Sequence, residues 1–553
     1  MSDEVTADVA GGLDEPDRLQ PEPGSLALAA PEDDWSRADW EKAAAGVLRK
    51  ARRLSDSDDD DQVWAALTRT TYDGVPVPPL GTRDPGRHGA SPRPDRVDGW
   101  DVRVRAFDGT DAVAELERGA TSLWVLAEHV PADTLASYLD GVLLDLAPVV
   151  LEGATAAHAE ALVALGPLHP ESNLGAAVDA EDLAAFARLA LAAGTRAAVV
   201  DGLAVHERGA SDAQELGWVL ARGAGALRSL EVAGIPIEQA FGLLELRVAV
   251  TDEQFPSIAK LRALRVLWAR VAELCGVADP LTRVHAVTSR PMTSAYDVHV
   301  NLLRTTLAAF AAGVGGADAV TVVPFDEPTG DVSPLGRRLA RNISALLVEE
   351  SHVARVADPA GGSYAVEQLT DELCGAAWAE LGLIETDGEE SFRDRVAQVR
   401  AAREDDVAHR RRPITGLSEF ANPADPPPGR RNLSYRWGAA FEALRADPPE
   451  GHVFLAPLGP VAEHSARAGF ATNLLAAGGV AVDASGEYAG QRVVCLAGTD
   501  AAYAELGDAE ATRLRAAGAE RVVVAGRPAD WADDSCAVGD DVVAFLTRTR
   551  EAL

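Results

Sequence analysis

The chain has 553 residues, 47% hydrophobic and 25% charged, a globular balance over a length that calls for two or three domains. Lys and Arg number 51 against 86 Asp and Glu, a formal net charge of −35, which repels nucleic acid and anionic membrane unless a local basic patch intervenes. No apolar run approaches the roughly 20 residues of a membrane span, the opening Met1-Ser2-Asp3-Glu4 is unlike a secretory or transit leader, and four scattered cysteines (Cys275, Cys374, Cys495, Cys536) without a C-x-x-C pair fit a reducing cytoplasm with neither zinc cluster nor disulfide framework.

Residues 1–34, rich in Asp, Glu, Pro and Gly with almost no apolar period, read as a disordered leader. In residues 35–54, Trp40, Ala44, Val47, Leu48 and Ala51 recur at three- and four-residue steps and predict a helix. The acidic run 56–61 lacks the central Gly and distal Glu of an EF-hand and reads as a solvated connector. Residues 71–80 and the Pro-, Gly- and Arg-rich stretch to Asp98 read as extended and irregular, which completes a region of helix and linker over 35–98.

Over 99–390 the pattern alternates. Short apolar, β-branched runs at 121–126, 147–151, 196–200, 246–250, 284–288 and 319–323 are separated by Ala/Leu-rich helical stretches such as 180–193, 257–272 and 298–312. Such strands are buried on both faces and joined by right-handed crossovers. A (β/α)8 TIM-type barrel is the economical architecture at this length, with an open doubly wound sheet as the alternative. Residues 391–450 hold a charged helix (391–407), a basic cluster at 409–412 that reads as a solvated helix end, and a Pro-rich linker at 422–430. Over 451–553, strand-like runs at 453–458, 480–482, 492–496 and 521–525 with a helix at 464–477 predict a flavodoxin-like domain. The fold class is therefore α/β, a barrel followed by a smaller parallel-sheet domain.

The barrel region carries text that identifies a family. Arg341-Asn342, Leu346-Leu347-Val348-Glu349-Glu350-Ser351-His352 and Arg355-Val356-Ala357-Asp358-Pro359-Ala360-Gly361-Gly362-Ser363-Tyr364 closely resemble the adenosylcobalamin-dependent acyl-CoA mutases. So do Ile258-Ala259-Lys260-Leu261-Arg262-Ala263, Asn301-Leu302-Leu303-Arg304-Thr305-Thr306, Gly313-Val314-Gly315-Gly316-Ala317-Asp318 and the pair Asp326-Glu327. The resemblance runs from about residue 35 to the C-terminus. It implies a barrel that holds a CoA thioester and a C-terminal domain of cobalamin-binding type, with methylmalonyl-CoA to succinyl-CoA as the commonest rearrangement. The cofactor supplies the radical chemistry and the protein supplies orientation and a closed site. Many bacterial members are heterodimers, and the length and the opening over 35–80 look like the smaller chain, with 35–98 as a subunit-contact arm.

The same resemblance implies missing chemistry. The family's D-x-H-x-x-G, whose His ligates cobalt and whose Gly admits the corrin tail, is matched by Ala462-Glu463-His464-Ser465-Ala466-Arg467. The His is kept, the Asp is Ala462, the Gly is Arg467, and the later G-G segment reads Ala525-Gly526-Arg527-Pro528. The catalytic G-Y-H-x-x-E-A-G-A is matched by Gly202-Leu203-Ala204-Val205-His206-Glu207-Arg208-Gly209-Ala210, so Leu203 and Ala204 stand where donors belong. His206, two residues on, would lie about 6–7 Å further along a strand end. L-H-T-N is replaced by Val320-Thr321-Val322-Val323, and the Tyr-wedge segment by residues 99–107. The retained motifs read structurally: a tight turn at Gly361-Gly362 and buried ion pairs of Arg355 with Asp358 or Glu349 with Arg341.

No H-E-x-x-H or P-loop pattern is present, and Gly313-Val314-Gly315-Gly316 follows a helix, unlike a dinucleotide loop. Glu349-Glu350, adjacent on a helix, do not face each other as an acid–base pair. The expectation is the small, non-catalytic chain of a heterodimeric methylmalonyl-CoA mutase, contributing no catalytic, cofactor-binding or metal-binding residue. The large (alpha) chain binds adenosylcobalamin and the CoA thioester. The alternatives are an independently active mutase using His206 and His464, and a non-enzymatic mutase-associated factor.

Overall fold

The computed structural model of the protein describes residues 35–82, 99–106, 111–278, 280–428 and 434–553. The expected leader and most of the linker ending at Asp98 lie outside the described residues. The chain forms two compact units that divide between Arg69 and Thr70.

In the first unit, helix α1 (Arg37–Lys50) opens on a capping box: Ser36 Oγ accepts the Asp39 N–H at 3.2 Å and the Asp39 carboxylate accepts the Ser36 N–H at 3.0 Å. Its covered stripe is the predicted one in part: Leu48 is buried and Trp40 and Ala44 pack on the same cluster, while Ala45 is added and Val47 and Ala51 are left out. Ala45 and Leu48 are buried with Val63, whereas Val47 is 65% exposed. The covered face is set by Trp64, whose ring meets that of Trp40 at 4.8 Å. The acidic run folds back on this helix, with Asp60 paired to Arg49 at 2.8 Å.

The second unit begins with a closed barrel of eight parallel strands. They are β1 (Asp101–Arg105), β2 (Ser122–Leu126), β3 (Val149–Glu152), β4 (Asn173–Ala176), β5 (Arg196–Asp201), β6 (Leu244–Val250), β7 (Val284–Thr288) and β8 (Ala319–Thr321). β8 bonds to both β7 and β1, so the ring closes and the open-sheet alternative falls. Six strands coincide with predicted runs; β1 and β4 do not. β1 alternates charge with valine, and β4 is short and contains Gly175, where a Cβ would meet the Leu151 carbonyl oxygen at 2.4 Å. The helical jacket includes α2 (Asp212–Val232), α3 (Gln254–Leu274), α4 (Val300–Val314) and the long α5 (Tyr364–Ala408), interrupted at Gly388. Helices α2 and α3 approach closely because Gly223 leaves room for the Trp268 ring, which a Cβ would meet at 2.6 Å.

The C-terminal sheet is also wholly parallel: β9 (His452–Pro457), β10 (Ala481–Asp483), β11 (Val493–Ala497), β12 (Arg521–Ala525) and β13 (Asp534–Cys536), in spatial order β10-β9-β11-β12-β13. Strand order reverses between β9 and β11, which makes that edge the crevice of the sheet. Between barrel and sheet, Arg436 and Glu442 form a buried pair at 2.5 Å, and Glu442 also accepts the Ala295 N–H at 3.0 Å. Arg445 lies over the Tyr296 ring at 4.1 Å, and one apolar core continues from the helical jacket through Trp437 and Phe441 to Val453 and Phe545. The basic cluster at 409–412 is not the solvated end expected. Arg410 pairs with Glu419, Arg411 with Asp405 and Asp406, and Arg412 lies over the Trp437 ring at 4.4 Å.

The turn after Thr71 is pinned to the start of α2, where Asp73 accepts the Ala213 N–H at 3.2 Å. Burial, reinforced by neighbouring Asp212, pushes the Asp73 carboxyl up to about 6. The folded state therefore holds this proton more tightly than the unfolded chain, whose Asp titrates near 3.9, so this group adds stability as pH falls from about 6 to 4. Asp73→Asn is expected to be more stable than wild type above pH 6, with the difference vanishing toward pH 4; urea midpoints across that range measure it.

Candidate functional site

The active face of a (β/α)8 barrel is the C-terminal mouth, above an interior filled by side chains. Here the interior is occupied. Side chains on strands that are not neighbours in the ring meet across it. Arg103 of β1 holds Glu245 of β6 at 2.7 Å, and Arg283, just before β7, reaches Glu245 at 3.3 Å, Glu171 at 2.9 Å and Asp101. One layer up, Arg247 of β6 pairs with Glu152 of β3 and lies over the Trp124 ring at 4.0 Å, while Trp124 Nε1–H donates to Glu152 at 2.8 Å. Arg247 Nε–H donates to His285 Nδ1 at 3.1 Å, so the His285 proton sits on Nε2, which meets Thr321 Oγ1 at 2.8 Å. Burial, followed by the charges of Arg103, Arg247 and Arg283, drives the His285 pKa well below its ordinary value and keeps the ring neutral. Burial works to raise the Glu245 carboxyl, but Arg103 and Arg283 outweigh it and hold it below the usual range.

Trp124, Leu126, Leu203, Ala249, Val287 and Val323 pack into one buried apolar cluster beside this charged column. Leu203, at the family's Tyr position, is thus part of a plug. Ala204, at the family's His position, faces a cavity of about 250 Å³ lined also by Glu152, Asp201, Trp218 and Arg247. That volume is below the usual range of roughly 300–1,000 Å³ for drug-sized ligands, and a CoA ester is larger still. Burial pushes the Asp201 carboxyl up to about 6 despite Arg247 nearby.

His206 does not lie on a strand end. Asp201 Oδ1 accepts the Leu203 N–H at 2.9 Å and turns the chain into a short helix, Leu203–His206. The imidazole is buried, with Nε2 at 2.7 Å from Ser289 Oγ and Nδ1 at 3.2 Å from Glu215. Glu215 in turn accepts from the Ala249 N–H at 2.6 Å and from Lys260 at 2.6 Å. Both ring nitrogens are engaged in holding the jacket to the barrel.

The retained family motifs are structural in the same way. Asn301 donates to the carbonyls of Ser294 (2.8 Å) and Phe325 (2.9 Å), Asp318 accepts from Arg265 (2.7 Å) and the Val284 N–H (2.6 Å), and Asp326 accepts the Ser333 N–H at 3.0 Å. Two expected pairings are corrected. Asp358 takes Arg262, which also holds Glu367 at 2.6 Å, leaving Arg355 exposed; Arg341 takes Glu115, leaving Glu349 exposed. In each case the partner comes from a distant part of the chain that sequence spacing does not reveal. The turn at Gly361-Gly362 is present, with Gly362 at φ +79°.

In the C-terminal domain, His464 stands in the first turns of α6 (Val461–Ala477). Its Nδ1–H donates to the Gly459 carbonyl at 3.1 Å, which leaves Nε2 for any other partner. Arg467, one turn on, crosses the crevice: Nη1 donates to the Gly498 carbonyl beyond β11 at 2.8 Å, and the guanidinium pairs with Asp500 and lies over the Tyr503 ring at 5.1 Å. Tyr503 is buried. Its hydroxyl accepts the Gly498 N–H at 2.9 Å and approaches the carbonyls of Leu496 (3.1 Å) and Ala525 (2.8 Å). Gly526 lies so close that a Cβ there would meet Arg467 at 3.3 Å and Tyr503 at 3.5 Å. The residues present therefore do not fit a corrin tail, although the histidine keeps Nε2 unused by the Gly459 hydrogen bond. Among the described residues no cluster of three or more His, Cys, Asp or Glu is arranged to hold a metal ion, and no helix is long and apolar enough to cross a membrane.

The sequence reading missed the charged column of the barrel. Its signal was available: Asp101-x-Arg103-x-Arg105, Glu245-x-Arg247 and Arg283-x-His285 each repeat at the two-residue period that sends side chains to one face of a strand.

The family model described as methylmalonyl-CoA mutase matches residues 180–435. The methylmalonyl-CoA mutase small subunit of Streptomyces virginiae is 42% identical over 96% of this chain and 98% of its own length. That of Propionibacterium freudenreichii subsp. shermanii is 31% identical over 96% and 97%. The methylmalonyl-CoA mutase of Escherichia coli is 30% identical over 40% of this chain and 32% of its own length.

Removing one member of the column leaves buried charge unpaired. Glu245→Ala, which removes the close partner of Arg103 and one of the three partners of Arg283, is expected to lower unfolding free energy by about 3–5 kcal/mol. Chemical denaturation followed by tryptophan fluorescence checks this, and a change below about 1 kcal/mol would contradict the reading of the column as a paired interior.

Proposed function

The chain belongs to the methylmalonyl-CoA mutase family, and on that premise we propose that it is the small, non-catalytic chain of a heterodimeric mutase. In this reading a large chain binds adenosylcobalamin and the CoA thioester and carries out the isomerisation in the cytoplasm. This chain supplies no catalytic, cofactor or metal residue and serves as an architectural partner. Its parts are a leader (1–34), a contact arm (35–98), the barrel (99–390), a helical linker (391–450) and a degenerate flavodoxin-like domain (451–553) of cobalamin-binding type.

The observation that supports the proposal is the filled barrel: the resemblance implies a barrel that holds the thioester, and here Arg103, Glu245, Arg283, His285 and Arg247 meet inside it, beside a plug that includes Leu203. Steric exclusion of this kind is not undone by loop movement, since the groups sit on the strands themselves. A rearranged site using His206 is disfavoured because both its nitrogens are engaged. A mutase-associated factor is disfavoured because the described fold is a complete barrel with its second sheet.

Co-expression with a large mutase chain carrying an intact D-x-H-x-x-G is the test. The expected outcome is a stable one-to-one complex that isomerises methylmalonyl-CoA, with no turnover by this chain alone. Turnover by the isolated chain, lost on His464→Ala, would establish the rearranged-site reading instead.

A further inference from the structure

Among the departures of the C-terminal crevice from the family motifs, Arg467 is the one that reaches across it. Three strand ends, β9, β11 and β12, converge there, and in an open parallel sheet the backbone groups at such ends face a ligand. Here they face Tyr503. Its hydroxyl accepts the Gly498 N–H and has one proton to donate to the Leu496 or the Ala525 carbonyl, both within reach, so the ends of β11 and β12 are bridged from within. Arg467 closes the solvent side by spanning from α6 to Gly498 and Asp500. His464 takes no part in this closure, and its Nδ1–H is held by Gly459.

We propose that Arg467 and Tyr503 form a side-chain plug that substitutes for a ligand's tail, and that this plug, not the imidazole, is what bars a corrinoid from the domain. The inference rests on the reading of this chain as the cofactor-free partner and assigns that property to two residues. It also accounts for a sheet closed without a ligand: the tyrosine hydroxyl bonds to the strand ends in a ligand's place, and Arg467, paired with Asp500, lies over its ring.

Hydroxocobalamin is titrated into the full chain, its absorption spectrum reporting whether a protein imidazole replaces the cofactor's own base. The wild type is expected to show no saturation. Arg467→Gly combined with Tyr503→Ala is expected to bind at least about tenfold more tightly than wild type, with an imidazole-ligated, base-off spectrum that disappears when His464→Ala is added. The same double variant is expected to lose thermal stability in the absence of corrinoid and to recover part of it on addition. Should that variant not fold, Arg467→Ala alone, at a position 31% exposed, is challenged with free 5,6-dimethylbenzimidazole and is expected to bind it where wild type does not. Saturable imidazole-ligated binding by the wild type would overturn the cofactor-free reading itself. A wild type that does not bind, together with folded variants that bind no better, would overturn only the plug.

Discussion

A carboxylate that is wholly removed from water must have its charge answered, and in this protein that requirement organises the barrel. Glu245 is fully buried on β6, and its two neutralising partners come from β1 and from the chain just before β7. Meeting it fixes which residues of those strands face inward and at what height. Asp101 and Glu171 then answer the remaining charge of Arg283, and Glu152 answers Arg247. Pairs of this kind add little net stability over a well-packed apolar interior, yet breaking one is severe. Their effect is to specify register and to fill the interior with paired side chains.

The outer layers follow the same logic. Lys260 and Glu215, Arg262 with Asp358 and Glu367, and Arg341 with Glu115 tie helices of the jacket to one another and to the loops above the strands. These are the residues by which the family is recognisable, and each is explained by its contacts within the chain. Recognition of a family from such residues therefore speaks to architecture. Function has to be read from the mouth of the barrel and the crevice of the second sheet, where the chain differs.

The barrel and the parallel C-terminal sheet were legible because six of the barrel strands are β-branched runs and the helices between them are rich in Ala and Leu. Strand β1 was not, since its valines alternate with Asp101, Arg103 and Arg105 and the run looks polar until the ring closes around it. His206 was misplaced because a strand was extended past Asp201, whose side chain turns the backbone into a helix. Arg341 and Glu115 stand 226 positions apart, and only the closed fold brings them together. The substitutions at Leu203, Ala204 and Arg467 were legible as missing donors or as obstruction. That Leu203 joins a plug, and that Tyr503 completes the closure Arg467 begins, required coordinates.

The paired interior also sets the terms on which this chain can change. Any single replacement that would hollow a passage through the barrel strands a charge in a dry environment, and the protein falls toward unfolding before a substrate gains entry. An opening would need several compensating replacements at once, on at least three strands. The column thus couples openness to stability: a passage through the interior has to be matched by simultaneous changes on several strands.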